Sequence, residues 1–484
     1  MSSTRFTVLG HSCLYVETPA GSILVDPWLF GSAGWRSWWH YPPVPELRSE
    51  WMEPDFLYLT HHHPDHFHYP SMRRISKRAR VLVPRFGVDV MPGELRGLGF
   101  QEVTELPHGR PLELGSGVRV ASYQYGFDDT TFVIQTPDAT LVDLNDCKIR
   151  GRALRKLARD FPSADFAFKG HSFAQAYPHC YEADDPADLA LIDRGSYIED
   201  FLDAMRVLKP RYAIPFGSMV GFLHPESFHV NRHLVTPAEV VAAVEADPTL
   251  EGTRAVAMAP GDRWESDTGF DLAPTDWYTD REARLEALTR EVAARIEASL
   301  AEEARRQVSW PAFEAYFGTF LASLPPPSGR LLVPRCVVFE IPSAAPERFF
   351  CLDFRQRRAS RSASPPPDHA CVIRTPEGVL ADAMEKRIVH YIHGSMRIHT
   401  LLRPGGIGSD LAFWGLLTMW EMGYLPPRRA LGRRVVGAAL ARWREGLDLL
   451  GGLLGPGGAG IRLARRFAAA RGLGPPGSAT GDSR

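Results

Sequence analysis

With 484 residues, 44% of them hydrophobic and 23% charged, the chain has the balance of a soluble globular protein and is too long for one ordinary core, so two domains are expected. A formal net charge of −2 supplies no bulk attraction for nucleic acid. Six scattered cysteines, none in a Cys-x-x-Cys pair, exclude a disulfide scaffold and predict a reducing, cytoplasmic setting.

Met1 to Gly10 carries no basic stretch before an apolar core and runs straight into a strand, so no signal peptide is expected. Short strands are predicted at Phe6 to Leu9, Leu14 to Glu17 and Ser22 to Val25, the last two joined by the turn Pro19-Ala20-Gly21. Trp28, Trp35, Trp38, Trp39 and Tyr41 then crowd a loop with Gly31 and Gly34. Aromatics this dense in an irregular segment either cap a core or wall a ligand cleft.

The apolar run Phe56 to Leu59 predicts a buried strand, and Pro64 stops it. Between them stands Thr60-His61-His62-His63-Pro64-Asp65-His66, a His-x-His-x-Asp-His pattern on a strand-to-loop turn. Imidazole nitrogens with a carboxylate suit zinc and equally ferrous iron or manganese. His61 and His63 can hold one ion, with Asp65 and His66 holding a second or its bound water. A solvated histidine-rich loop is the plain alternative, but this spacing directly after a buried strand favours metal.

Together with Gly10-His11-Ser12-Cys13-Leu14, Asp26-Pro27-Trp28-Leu29, Gly34-Trp35, Trp38-Trp39 and Tyr41-Pro42-Pro43, that pattern resembles the metallo-β-lactamase fold superfamily. The branch is the one containing CMP-N-acetylneuraminate hydroxylase and its bacterial relatives. More distant similarity reaches the ascorbate-phosphate lactonases and the N-acyl-phosphatidylethanolamine phospholipase D enzymes. The resemblance covers residues 5 to 265 and implies an α/β fold, the αββα sandwich, holding one or two ions of zinc or iron and acting on a small molecule.

It also implies roles for further residues. Asp146 matches the bridging carboxylate, His224 the final metal-binding histidine, with His229 and His233 as rivals, and Asp26 a group that orients a ligand. The loop bearing Trp39 overlooks the metal, and the loop bearing His171 lies near the substrate, although a structural histidine is the plainer reading there. Asp143 competes with Asp146, but strand alternation is expected to turn it away. The family's intervening histidine falls at Tyr125, so either one ion is bound or Asp128, Asp129, His108, His171 or water fills the place.

Further on, a helix is expected over Tyr69 to Arg80, strands at Val81 to Val83, Val118 to Ser122, Thr131 to Gln135 and Thr140 to Leu144, and a helix at Tyr197 to Leu208. Residues 276 to 325 read as helical, Leu331 to Ile341 and Phe349 to Phe354 as strands, and Arg355 to Asp368 as a polar loop. The expected organisation is a metallo-β-lactamase-like domain at 1–270, a helical linker at 271–329, a mixed α+β module at 330–425 with a general likeness to sterol-carrier folds, and a helical, partly disordered tail at 426–484. No apolar run is long enough to span a bilayer, while basic amphipathic pieces of the tail, Arg462 to Phe467 among them, allow peripheral membrane contact.

The expected activity is that of a metal-dependent hydrolase in which Asp65 orients a metal-activated water. The alternative is an iron oxygenase with a separate electron donor, because the Cys-x-His and Cys-x-x-His elements of a Rieske cluster do not occur in this sequence. A non-catalytic metal-binding scaffold is the third reading.

Overall fold

The computed structural model describes residues 3–88 and 90–454. Two mixed sheets stack face to face. The first has eight strands in the order Gly269–Asp271, Arg263–Glu265, Arg5–Gly10, Cys13–Thr18, Gly21–Val25, Phe56–Tyr58, Arg80–Pro84 and Val103–Leu106. The second has seven, from Arg254–Ala255 through Tyr212–Phe216, Phe166–Gly170, Thr140–Asn145, Asp129–Gln135 and Val118–Tyr125 to Leu112–Gly115.

Strand alternation divides each sequence between two faces. Phe6, Val8, Val16, Ile23 and Tyr58 meet Val120, Phe132, Ile134, Leu141 and Phe166 in the core between the sheets. The opposite face of the first sheet, with Leu24, Leu57 and Val81, packs on helices Tyr69–Arg74 and Met91–Gly97. That of the second, with Tyr123, Tyr125, Val133, Val142 and Leu144, packs on Gly151–Asp160, Arg194–Leu208 and Pro237–Ala246. The result is the αββα sandwich.

A third sheet of six strands has the order Tyr181–Ala183, His399–Leu402, His369–Arg374, Cys336–Glu340, Phe349–Asp353 and Arg358–Ser362. Its edge strand Tyr181–Ala183 comes from within residues 1–270 and pairs in parallel with His399–Leu402. Helices Trp310–Ser323, Glu377–Lys386 and Ile407–Glu421 cover one face with Phe313, Phe317, Leu380 and Phe413. Met396, Ile398, Phe413, Leu417 and Trp420 belong to that core, packed among its other side chains.

Four elements depart from the sequence expectation. The helix from Tyr69 ends at Arg74, where the chain leaves helical geometry at Ile75 and Ser76 donates to Met52 O. The 276–325 stretch is two helices, Arg281–Glu303 and Trp310–Ser323, the second capped by Ser309. Pro326–Leu332 is a short helix, so the following strand is only Cys336–Glu340. Finally, the polar stretch Arg355 to Asp368 contains a strand, Arg358–Ser362, paired with Phe349–Asp353. Polar composition concealed it, because this is a sheet edge with half of its side chains in water. The basic piece Arg462 to Phe467 and the segment Pro475 to Arg484 lie outside the described residues.

Candidate metal centre

Both sheets present carboxyl ends of parallel strands at one edge, the place where α/β sheets bind ligands. In the first sheet Arg5–Gly10, Gly21–Val25 and Phe56–Tyr58 point the same way, delivering His11, Asp26 and the His61 to His66 turn side by side. In the second, Thr140–Asn145 delivers Asp146, and its antiparallel neighbour starts there with Asp129. Asp26 and Asn145 both take left-handed φ values, 43° and 42°, which re-aim the chain at the strand ends.

Two groups of three ligands result, His61 with His63 and Asp146, and His11 with Asp65 and His66. Within each group the donor atoms lie within 4.8 Å of one another. Asp146 joins the groups: one oxygen is 3.8 Å from His61 Nε2 and the other 3.7 Å from His66 Nε2. Asp65 Oδ2 is 2.9 Å from His11 Nε2 and 3.3 Å from His66 Nε2. Asp128 Oδ2 reaches to 3.3 Å from His63 Nε2, and Asp129 Oδ1 to 3.9 Å from His61 Nδ1.

The hydrogen bonds behind the histidines set their tautomers. Thr60 Oγ1 donates to Asp26 Oδ2 at 2.5 Å, so toward His61 Nδ1, 3.0 Å away, it can only accept. His66 Nδ1 lies 2.7 Å from the same Asp26 oxygen and donates to it. Both rings therefore carry a proton on Nδ1 and turn Nε2 toward the centre, His61 as a neutral ring with a lone pair there. Nε2 of His61 and of His66, Oδ1 of Asp129 and Oδ1 of Asp146 are buried without a partner. Imidazole nitrogens and carboxylate oxygens converging unpartnered in a buried space fit a cation, and the mixed nitrogen and carboxylate set suits zinc, iron or manganese.

The ligands differ in charge: burial acts against the charge on His66, but Asp146, Asp65 and Asp26 outweigh it and hold the ring well above the ordinary histidine range, so a cation binding there displaces a proton. Burial, then the neighbouring His66, pushes His61 down to about 3, which keeps it neutral. For His63 burial acts against the charge, but Asp128 outweighs it and raises the group to about 9. Burial likewise opposes the charge on Asp146, yet His61 and His66 hold it below the ordinary carboxylate range.

The remaining candidates fall into place around this edge. Asp26 is fully buried and, besides His66, accepts the Thr60 amide at 2.8 Å. Tyr125 sits on the helix-facing side of its strand and points away from the centre, so the carboxylates of Asp128 and Asp129 occupy the ground expected for a histidine. His224 is fully buried but in neither ligand group; its Nδ1 accepts the Glu226 amide at 3.3 Å, and burial with nearby Arg397 pushes it down to about 4. His171 is buried beside His11, also outside both groups, and burial pushes it down to about 4. Trp39 packs with Tyr41 and Leu285 away from the metal edge, whereas its neighbour Trp38 lines the cavity, a one-residue difference that strand alternation turns into opposite faces. Asp143 faces the inter-sheet side, near Asp26, and is not turned away as alternation against Asp146 suggested, because left-handed Asn145 breaks the alternation between them.

His11 is the ligand candidate that sequence reasoning passed over. Its signal was present in Gly10-His11-Ser12 at the end of the first strand, which runs parallel to the strand feeding the histidine turn.

A cavity of about 290 Å³ opens over the carboxylates Asp65, Asp128 and Asp146. Its opposite wall comes from the third-sheet module through His390, Tyr391, His393, Ser395 and Thr418. Tyr391 donates to His62 O at 3.0 Å, and Trp38 Nε1 donates to Gly394 O at 2.9 Å, fixing that wall to the metal edge. Behind it His393 Nε2 lies 3.0 Å from Tyr181 Oη, which donates to Asp410 at 2.8 Å.

Residues 5–151 match the family described as a beta-lactamase superfamily domain. A Rieske 2Fe-2S iron-sulfur protein of Mycobacterium tuberculosis is 29% identical over 252 residues, 49% of this chain and 48% of that protein. Cytidine monophosphate-N-acetylneuraminic acid hydroxylase of Mus musculus is 24% identical over 244 residues, 47% of this chain and 41% of the hydroxylase. The chain thus spans about half the length, or less, of these relatives. Among solved structures, CmlA, a diiron beta-hydroxylase from Streptomyces venezuelae, aligns with a TM-score of 0.39 and 21% identity over 55% of this chain and 54% of that one.

Proposed function

From a chain whose residues 5–151 form a beta-lactamase superfamily domain, we propose an iron-dependent hydroxylase of a small molecule, with electrons supplied by a separate donor. The observation that carries this reading is the donor set. Each ligand group pairs two histidines with one carboxylate, and Asp128 and Asp129 add two more carboxylates where a histidine was expected. Two histidines with a carboxylate and open positions is the pattern of non-haem iron sites that handle dioxygen. Both sequence relatives are named as a hydroxylase or an iron–sulfur protein, which supports oxygen chemistry.

His61, His63 and Asp146 would hold one ion and His11, Asp65 and His66 the other, with Asp146 between them. A redox-active ion supplies dioxygen chemistry there, and a redox-inert one the activation of water. The chain's own part is positioning. Asp26 and Thr60 lock the ligand rings, Trp38 and Tyr391 close the cavity walls against bulk water, and His393 faces the carboxylates across the cavity.

Hydrolysis, the first expectation from the sequence, remains the second reading. It is favoured by Asp65, which lines the cavity and which His66 and His11 hold as a carboxylate against the effect of burial, in position to orient water. The two readings separate in one experiment. Protein loaded with iron and given a reductant should take up oxygen, whereas zinc-loaded protein should not. Ester or lactone cleavage by the zinc form without oxygen uptake by the iron form would reverse the assignment.

A further inference from the structure

The described chain ends in two helices, Arg433–Ala441 and Trp443–Leu454, that lie inside out. Four polar side chains, Arg434, Arg442, Glu445 and Asp448, face the protein. Glu445, 6% exposed, accepts the Gly126 amide at 2.8 Å and pairs with Arg442. Asp448 accepts the Arg152 amide at 2.6 Å at the start of helix Gly151–Asp160, and Arg434 donates to Phe86 O and pairs with Glu105.

Several of the described apolar side chains face outward. Leu440 is 69% exposed, Trp443 52% and Val436 40%, and Leu431 just before the first helix is 78% exposed. Val436 with Leu440, and Trp443 with Leu447, are spaced four apart, so each pair makes a stripe on one side of its helix. A helix on a water-soluble surface normally turns its apolar stripe inward. Burying a glutamate while exposing a leucine and a tryptophan is the arrangement of a surface that meets an apolar partner.

Charge identifies the partner. Arg428, Arg429 and Arg433 are exposed beside the stripe, and Arg444 lies over the Trp443 ring. The only carboxylates from 427 to 448 are Glu445 and Asp448, both committed inward. We propose that this face docks peripherally on an anionic phospholipid bilayer, with Leu431, Val436, Leu440 and Trp443 entering the headgroup boundary and the arginines meeting lipid phosphates. The surface adjoins the catalytic edge, because Tyr424 and Arg442 hold Phe127 O and Gly126 O in the loop that carries Asp128. The proposal is independent of which reaction the metal centre performs.

Flotation of the full-length chain with vesicles tests it. Binding is expected to vesicles containing roughly one-third phosphatidylserine, with release by high salt and little binding to phosphatidylcholine alone. Arg428→Gln with Arg433→Gln should weaken partitioning roughly 25-fold, at about fivefold per cation. Leu440→Asp with Trp443→Ser should lower it by roughly tenfold or more, with circular dichroism and metal content unchanged because those side chains face out. Failure of the wild type to bind, or equal binding by the Leu440→Asp, Trp443→Ser variant, overturns the proposal. A dimer seen by light scattering that this variant dissolves, without vesicle binding, would instead assign the face to a second copy.

Discussion

Two buried polar clusters stand on either side of the cavity, and they are built on opposite terms. At the metal edge, Nε2 of His61 and His66 and oxygens of Asp129 and Asp146 converge with no partner. Across the cavity, His393, Tyr181 and Asp410 form a chain in which each side chain bonds to the next. Unmade bonds in a buried space cost stability, roughly 1–3 kcal/mol per group. The first cluster is therefore completed by something from outside the chain, and the second is complete in itself. Metal should stabilise the first and leave the second untouched.

The largest effect expected from that contrast follows removal of His61 and His63 together. Elemental analysis of His61→Ala with His63→Ala should show the metal content falling by at least half, with the ion of the His61, His63 and Asp146 group lost. Wild-type protein should gain about 4 kcal/mol of stability per site when metal is supplied a thousandfold above its dissociation constant, and the variant should lose the gain of the His61 and His63 site. Full occupancy in the variant would falsify the metal assignment.

Asp410 gives the next effect. Burial lifts its carboxyl to about 6, although Tyr181 and Cys371 bond to it in ways that favour the carboxylate. Its folded value thus lies above an unfolded value near 4, so the folded state holds the proton more tightly. Its contribution to stability is full below about pH 4 and is lost as pH rises through about 6, on the order of 3 kcal/mol. Asp410→Asn should flatten that part of the stability profile in denaturant titrations and leave metal content as it was. A coincident loss of metal would show that the two clusters are one network.

A smaller change separates the metal ligands from the group behind them. Asp26→Asn keeps the fold-forming acceptor for the Thr60 amide but weakens the contact that fixes the His66 ring. Metal affinity measured by competition with a chelator should fall about 10–100-fold, the usual cost of losing such a partner. An unchanged affinity would mean that the ring is held by its packing alone.

How much of this was legible beforehand depends on whether a residue's role is local. The strands at the start of the chain and the histidine turn could be read because alternation and a ligand pattern are written in consecutive residues. Asp146 and Asp26 were reached through resemblance, and both stand at the metal edge. His224 was assigned in the same way, and the structure leaves it outside both ligand groups. Trp39 and Trp38 exchanged places because one residue decides the face of a strand. The far wall of the cavity carries no motif at all: His390, Tyr391 and Thr418 come together only when the third sheet docks, and no short-range pattern encodes that. The strand Arg358–Ser362 stayed hidden for a related reason, since an edge strand with few apolar residues looks like a loop until its partner is known.

Tyr125 sets the smallest expected effect. In sequence it stands where a third histidine was expected, and in the structure its side chain packs with Ala121, Leu144 and Leu154 beneath the outer helices. Asp128, three residues later, comes to 3.3 Å from His63 Nε2 instead. Tyr125→His should therefore leave metal stoichiometry unchanged and cost only stability, about 1–3 kcal/mol for a polar ring placed in an apolar layer. Asp128→Ala, in contrast, should weaken retention at the ion held by His61 and His63. Metal bound by Tyr125→His beyond the wild-type stoichiometry would turn that strand around, bringing residue 125 to the metal edge and removing the carboxylate-rich donor set on which the iron assignment rests.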